Sequence, residues 1–179
     1  MSGYSPQPPL GTVQFAHLMQ TYAEIYRQLQ LLFDHRYDRC DRLVSTVINQ
    51  PPLYFEVTER HAYTTCARMT YFIEQRDGTI SPDPDAHVRI YHDAEIAEAT
   101  HCYPGTVNQP LFGALVPVSD VVEHRWRTNR FFDRWLEYLL RQGHGLGTLR
   151  AAKAQEWPRP APSIAGQLHR LGNQDLAER

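Results

Sequence analysis

The apolar positions of this chain change period twice, and each change predicts an element. From Val13 to Phe33, the residues Phe15, Leu18, Met19, Tyr22, Ile25, Tyr26, Leu29, Leu32 and Phe33 recur at intervals of three and four. On a helix that spacing gathers them into one broad apolar face. It predicts a helix over 13–33 with Thr12 as its N-cap. The polar stretch that follows ends in Pro51-Pro52, which regular helix does not cross. Within it, Leu43 to Ile48 reads either as a short strand or as a turn of helix.

Beyond Pro52 the period becomes two. Leu53, Phe55 and Val57 alternate with Tyr54, Glu56 and Thr58, and Tyr63, Thr65, Ala67, Met69, Tyr71 and Ile73 alternate with their neighbours. Two strands joined through Glu59-Arg-His-Ala62 are expected. Asp77-Gly78 and Ser81-Pro-Asp-Pro84 predict a loop that halts the sheet. A hairpin is predicted next. With Asp93 and Ala94 at its turn, Val88 and Ile90 lie opposite Ala99 and Ala97, Arg89 faces Glu98, and Tyr91 faces Ile96. Apolar residues and opposite charges then meet across the strands, as pairing prefers.

Leu111 to Val118 suggests a further strand whose Pro117 belongs at an edge. The helical period returns from Asn129 to Gln142, with Phe132, Trp135, Leu136 and Leu139 on the inner face. Phe131 and Tyr138 widen that face, Thr128 or Asn129 is the expected cap, and Gly143 the expected stop.

These elements predict an α+β fold: an antiparallel β-sheet of four to five strands packed on one face by an N-terminal and a C-terminal helix. The predicted domain spans 12–147, preceded by a proline- and glycine-containing arm over 1–11. A proline-containing extension over 148–179 follows, with Trp157-Pro-Arg-Pro-Ala-Pro162 and a short helix within 163–176.

Composition narrows the class without naming a reaction. The chain is 42% hydrophobic and 21% charged, with a net charge of -2, so no long-range field gathers nucleic acid or anionic lipid. Neither is expected as a partner. Cys40, Cys66 and Cys102 are odd in number and in no metal-ligand spacing, which points to free thiols in a reducing cytoplasm. No basic-plus-apolar leader opens the sequence, and no apolar run approaches the roughly 20 residues that span a bilayer.

The candidate chemistry is thin. His92-Asp93 brings to mind the His-Asp doublet of metal-dependent phosphohydrolases, but those hold it on helices and this one falls at a hairpin tip. His87 and His92 are separated by an odd number of strand positions, so their rings point to opposite faces. Gly143-His-Gly-Leu-Gly147 has the glycine content of a phosphate loop, yet it closes a helix instead of opening one. Charge is unevenly placed. Glu74 to Glu98 carries seven acidic residues against two arginines, and His124 to Arg150 six arginines against two acids. An anionic ligand near Arg125, Arg127, Arg130 and Arg134 is one reading; attraction between helix and sheet surfaces is the other. Glu59, Tyr63, Thr64 and Thr65, with Arg89 and Tyr91, form the candidate lining of a polar pocket.

Three motifs carry a resemblance: Glu59-x-x-x-Tyr63-Thr64-Thr65; Val88-Arg-Ile-Tyr-His-Asp-Ala94 with Ala97-Glu98; and Asn129-x-Phe131 leading to Trp135-Leu136-x-Tyr138 and Gly143. In order and spacing, over about residues 12 to 144, the chain resembles the bacterial YqiB-like family, a group of uncharacterised proteins defined by a domain of unknown function. The stretch from Cys102 to Glu123 and the tail past Leu146 depart from the pattern. The resemblance implies a bacterial, cytoplasmic protein; it brings no activity, cofactor or catalytic residue.

The expected function is non-enzymatic: a binding or regulatory protein acting through a protein partner or a small anionic ligand, with no cofactor. Its candidate ligand-binding residues are Glu59, Tyr63, Arg89, Tyr91, His92, Asp93 and Glu98. A metal-assisted hydrolase built on His92, Asp93, Glu98 and Glu59 is the first alternative, and a structural subunit docking through its C-terminal tail the second.

Overall fold

The alternation beyond Pro52 builds a two-faced sheet: Leu53, Phe55 and Val57 are buried, while Tyr54 and Glu56 are only partly covered on the opposite side. The computed structural model describes residues 10–33, 40–103 and 118–158. In chain order these form α1 (Leu10–Leu32), β1 (Arg42–Ser45), β2 (Leu53–Arg60), β3 (Thr64–Glu74), β4 (Ile80–Tyr91), β5 (Ile96–Tyr103), α2 (Val118–Arg141), β6 (Leu149–Ala151) and a short 3-10 turn (Ala154–Glu156). The fold is α+β, as expected, with an antiparallel sheet of six strands in the order β5-β4-β3-β2-β1-β6. The stretch left open between strand and helix is β1, and Leu149–Ala151, just past the expected domain end, adds β6 beside it.

Both helices cover the same face. Ile25, Leu29, Phe132, Leu136 and Leu139 pack with Phe55, Met69, Val88 and Ile90 in one core, and the Phe33 and Phe55 rings stack with centroids 4.5 Å apart. The helices run in the same direction. His17 and Leu18 share a cleft with Val122 and Trp126, and further along Gln28 Nε2 donates to Asp133 Oδ1 at 2.8 Å.

The β4–β5 hairpin has the register that cross-strand pairing predicted: Val88 with Ala99, Arg89 with Glu98, Ile90 with Ala97 and Tyr91 with Ile96. His92 to Glu95 form its turn, and Glu95 takes the left-handed conformation (φ 52°) that a glycine would have supplied more cheaply.

Several boundaries differ from expectation. Ser81-Pro-Asp-Pro84 lies inside β4, where Phe72 pairs with Pro82 and Glu74 with Ile80. The break in the chain is instead the Gln75–Thr79 turn, closed by Gly78 at φ 78° and by Asp77 Oδ1, which accepts from the Thr79 amide at 2.9 Å. Proline is tolerated there because β4 is paired with β5 only from Asp85 onward, so residues 80–84 have β3 alone as a described neighbour.

Helix α1 begins at Leu10, which places Thr12 within the helix and not at its cap. Helix α2 begins at Val118, so Thr128 and Asn129 are buried mid-helix residues and not caps. Of the arm expected over 1–11, Leu10 and Gly11 belong to α1 and residues 1–9 lie outside the described residues; of the strand expected over 111–118, Val118 opens α2 and the rest lies outside them, as does the helix expected within 163–176.

Gly143 does stop α2. At φ 92° it donates to Leu140 O at 3.0 Å while the His144 amide donates to Leu139 O at 3.1 Å, the paired closing bonds of a Schellman motif. An added Cβ would meet only Val47 Cγ1 at 3.7 Å, so the constraint is conformational and not steric. Gly143→Ala is therefore expected to cost about 1 kcal/mol in urea unfolding. No loss would mean the helix end relaxes out of the left-handed region.

Candidate functional site

The sheet sets four polar residues in one row across β2 to β5: Glu59 pairs with Cys66, Cys66 with Arg89 and Arg89 with Glu98. The row ends at β5, the outermost strand among the described residues, so the Glu98 side chain reaches round that edge to residues of both helices. It is nine-tenths buried there. Tyr22 on α1 donates its hydroxyl to Glu98 Oε2 at 3.2 Å, and Tyr91 donates to Oε1 at 3.0 Å. Two guanidinia flank the same carboxylate: Arg125 Nη1 lies 3.5 Å from Oε2, and Arg89 Nη1 lies 4.0 Å from Oε1.

Burial, reinforced by the Glu98 charge, pushes the Tyr22 phenol up to about 12, so it remains a hydrogen-bond donor across physiological pH. Contact with the Tyr91 hydroxyl, and after it the Cys66 thiol, raises the Arg89 pKa further, so that side chain stays charged. One carboxylate thus stands between two guanidinia that are 47% and 57% exposed. The cluster carries one positive charge in excess, at the surface end of the site.

One helical turn from Tyr22 and from Arg125, the N-terminal halves of the helices open into a cleft of about 210 Å³ lined by His17, Leu18, Val122, Glu123 and Trp126. Glu123 is held by Arg127 at 2.8 Å on the helix surface.

Among the residues singled out from sequence, Arg89, Tyr91 and Glu98 come together, and the others stand apart. Glu59 is exposed and meets His61 at 3.1 Å. Tyr63 is 67% exposed. His92 shares a 2.8 Å hydrogen bond with Thr65 Oγ1, and Asp93 lies exposed in the turn. The suggested ligand set of His92, Asp93, Glu98 and Glu59 therefore does not converge. Among the described residues, no group of three or more His, Cys, Asp or Glu side chains has the geometry to hold a metal ion.

The tail also finds a use within the chain. Trp157 packs edge-on to Tyr54 at 5.3 Å and Phe72 at 6.0 Å, under the Arg42 guanidinium at 4.9 Å.

Tyr22 and Asn129 complete the site and were not among its candidates; Arg125, named only as part of a basic stretch able to meet an anionic ligand, joins them beside Glu98. Asn129, fully buried, accepts from the Ala99 amide at 2.7 Å and donates to Ala99 O at 3.2 Å and Arg125 O at 2.9 Å. It pairs with the β5 edge as a neighbouring strand would, fixing α2, and with it Arg125, beside Glu98.

Among the described residues, no helix is long and apolar enough to cross a membrane. No curated protein and no solved structure matches the chain. A family model described as a protein of unknown function (DUF1249) matches residues 28–145, a span that takes in the whole β4–β5 hairpin, Asn129 and Arg125. The chain belongs to that family.

Proposed function

We propose that this is a non-enzymatic binding or regulatory protein whose ligand is a small anion held by Arg89 and Arg125. The observation that carries this reading is the unequal count at Glu98: one buried carboxylate, tied down by two tyrosine hydroxyls, orients two half-exposed guanidinia. The carboxylate fixes the forks without neutralising both, and a fixed, partly desolvated guanidinium is well suited to carboxylate or phosphate oxygens. The adjoining cleft gives such a ligand a place to rest its uncharged part. We place the protein, as a YqiB-like member of its family, in a bacterial cytoplasm; the three unpaired cysteines fit that setting.

The test is isothermal titration of the purified protein with inorganic phosphate and with citrate at low ionic strength, alongside mass spectrometry of small molecules released on denaturation. Arg125→Gln is expected to weaken binding about tenfold or more, the equivalent of one charge-assisted hydrogen bond. Arg89→Gln should act in the same direction. Binding of neither probe together with no released anion, or binding that both variants leave unchanged, would refute the reading.

A further inference from the structure

On the far side of the sheet from Glu98, the loop after α2 carries a buried histidine that no part of the proposed binding site uses. His144 is 2% exposed, and its Nδ1 lies 2.8 Å from Ser45 Oγ in β1. Ser45 Oγ is in turn 2.7 Å from Thr148 Oγ1, which donates to Gly145 O at 3.0 Å and accepts from the Gly145 amide at 3.0 Å. Gly145 O also accepts from the Thr148 and Leu149 amides at 3.0 and 3.1 Å, so the Thr148 hydroxyl proton is free to serve either Gly145 or Ser45. Whichever tautomer the neutral ring adopts, Nδ1 is engaged with Ser45, and the imidazolium carries an Nε2–H that needs an acceptor.

His144 Nε2 is buried without a partner among the described residues, and so is the Tyr71 hydroxyl, whose ring centroid lies 6.4 Å from the imidazole.

We propose that His144 is an acid-operated latch: neutral, it pins the segment 144–158 to β1, and protonated, it lets that segment, with β6 and Trp157, leave the sheet. The imidazolium would need a second acceptor or a counter-charge, and among the described residues no charged group faces it and no acceptor is hydrogen-bonded to Nε2. From β1 it is faced by the neutral Ser45 hydroxyl, and from its own loop by Thr148. From β3 it faces Tyr71, whose phenol burial holds up at about 12 with Tyr138 of α2 behind it. At the end of α1 the contact is backbone, Leu146 N donating to Leu31 O at 3.2 Å. Burial alone lowers the His144 pKa below 6.5, in line with a site that rejects the charge.

The sign follows. The open form takes up a proton near pH 6.5 and the closed form only at lower pH, so the closed form is favoured above that value and loses ground as pH falls. Besides the latch, the segment is anchored by Leu149, which is buried in the core, and by the Thr46 N to Thr148 O bond at 3.3 Å. The strand β6 has three residues, paired among the described residues to β1 alone. Beyond it are the Ala152 N to Arg42 O bond at 2.9 Å and the Trp157 stack. Its release would leave β1 as an edge with unpaired amides and carbonyls.

Hydrogen exchange at pH 7.5 and 5.5, corrected for intrinsic rates, tests this on the whole chain. Opening of 145–152 is expected to rise across that interval, by at most about tenfold, with β2 and β3 unchanged, because an open-state imidazole titrating near 6.5 is about ten times more protonated than neutral at the lower pH while the closed-state ring, its pKa lowered by burial, takes up less. In His144→Asn, whose amide still reaches Ser45 but does not titrate, the pH effect should vanish. If that variant fails to fold, Tyr71→Phe in its place should keep the rise, since the titrating ring remains. A flat profile in the wild type, an equal rise in His144→Asn, loss of the rise in Tyr71→Phe, or a uniform loss of protection across the sheet that would point to His87 on β4 or to global unfolding, each overturns the proposal.

Discussion

Asn129→Leu should destabilise the protein by about 2–5 kcal/mol, although leucine has the same number and branching of side-chain heavy atoms as asparagine and favours helix more. The side chain is fully buried and meets the outer edge of β5, which has no second paired strand among the described residues, with one donor and one acceptor, both used on Ala99. Leucine would leave the Ala99 amide and carbonyl without partners and without water, at about 1–3 kcal/mol each. Chemical denaturation is the direct measurement, with the midpoint falling at an unchanged slope. A loss under about 1 kcal/mol would show that water or a shift of α2 satisfies the β5 edge, and the pairing would lose its importance. Because the same residue sets Arg125 against Glu98, anion affinity should fall with stability in this variant, whereas Arg125→Gln should lower affinity alone.

That one residue also shows where sequence reasoning stops. Asparagine ahead of an apolar helical pattern reads as an N-cap, because its side chain satisfies orphan amides. Here the amide it satisfies belongs to a strand thirty residues earlier. The first turns of α2 gave no contrary signal: Val121, Val122, Glu123, Arg125 and Arg127 are all exposed, so the segment lacks the buried stripe that makes a helix visible. The β4–β5 hairpin was legible because its two strands adjoin in sequence and each wrong register would place charge against apolar side chains. The same locality made Arg89, Tyr91 and Glu98 readable as neighbours.

Tyr22 and Arg125 reach Glu98 by wrapping round a sheet edge, an arrangement with no sequence period. Ser45 and His144 meet only because α2 ends beside β1, and each alone looks like an ordinary surface residue. The prolines of β4 misled for a different reason. Proline forbids a central strand position, but whether residues 80–84 have a second neighbour is decided by where β5 ends its pairing.

Trp135→Ala is expected to have the largest effect, about 3–5 kcal/mol, the usual cost of removing a buried aromatic side chain and leaving a cavity. The indole is 7% exposed and meets Tyr71 edge-on at 5.8 Å and Phe132 at 6.1 Å, so it fills the space between α2 and the middle of the sheet. A domain of this kind has on the order of 5–15 kcal/mol of stability in total, so the variant should unfold at a much lower urea concentration and populate the unfolded state measurably at 37 °C. Its consequences reach the loop after α2. Tyr71 sits between Trp135 and His144, and loss of the indole frees the phenol that faces the imidazole. Trp135→Phe keeps most of the packing and should recover well over half of the lost stability. If alanine cost less than about 1.5 kcal/mol, α2 would have to close onto the sheet by an ångström or more, and the anchoring of that helix would rest on Asn129 and not on its aromatic face.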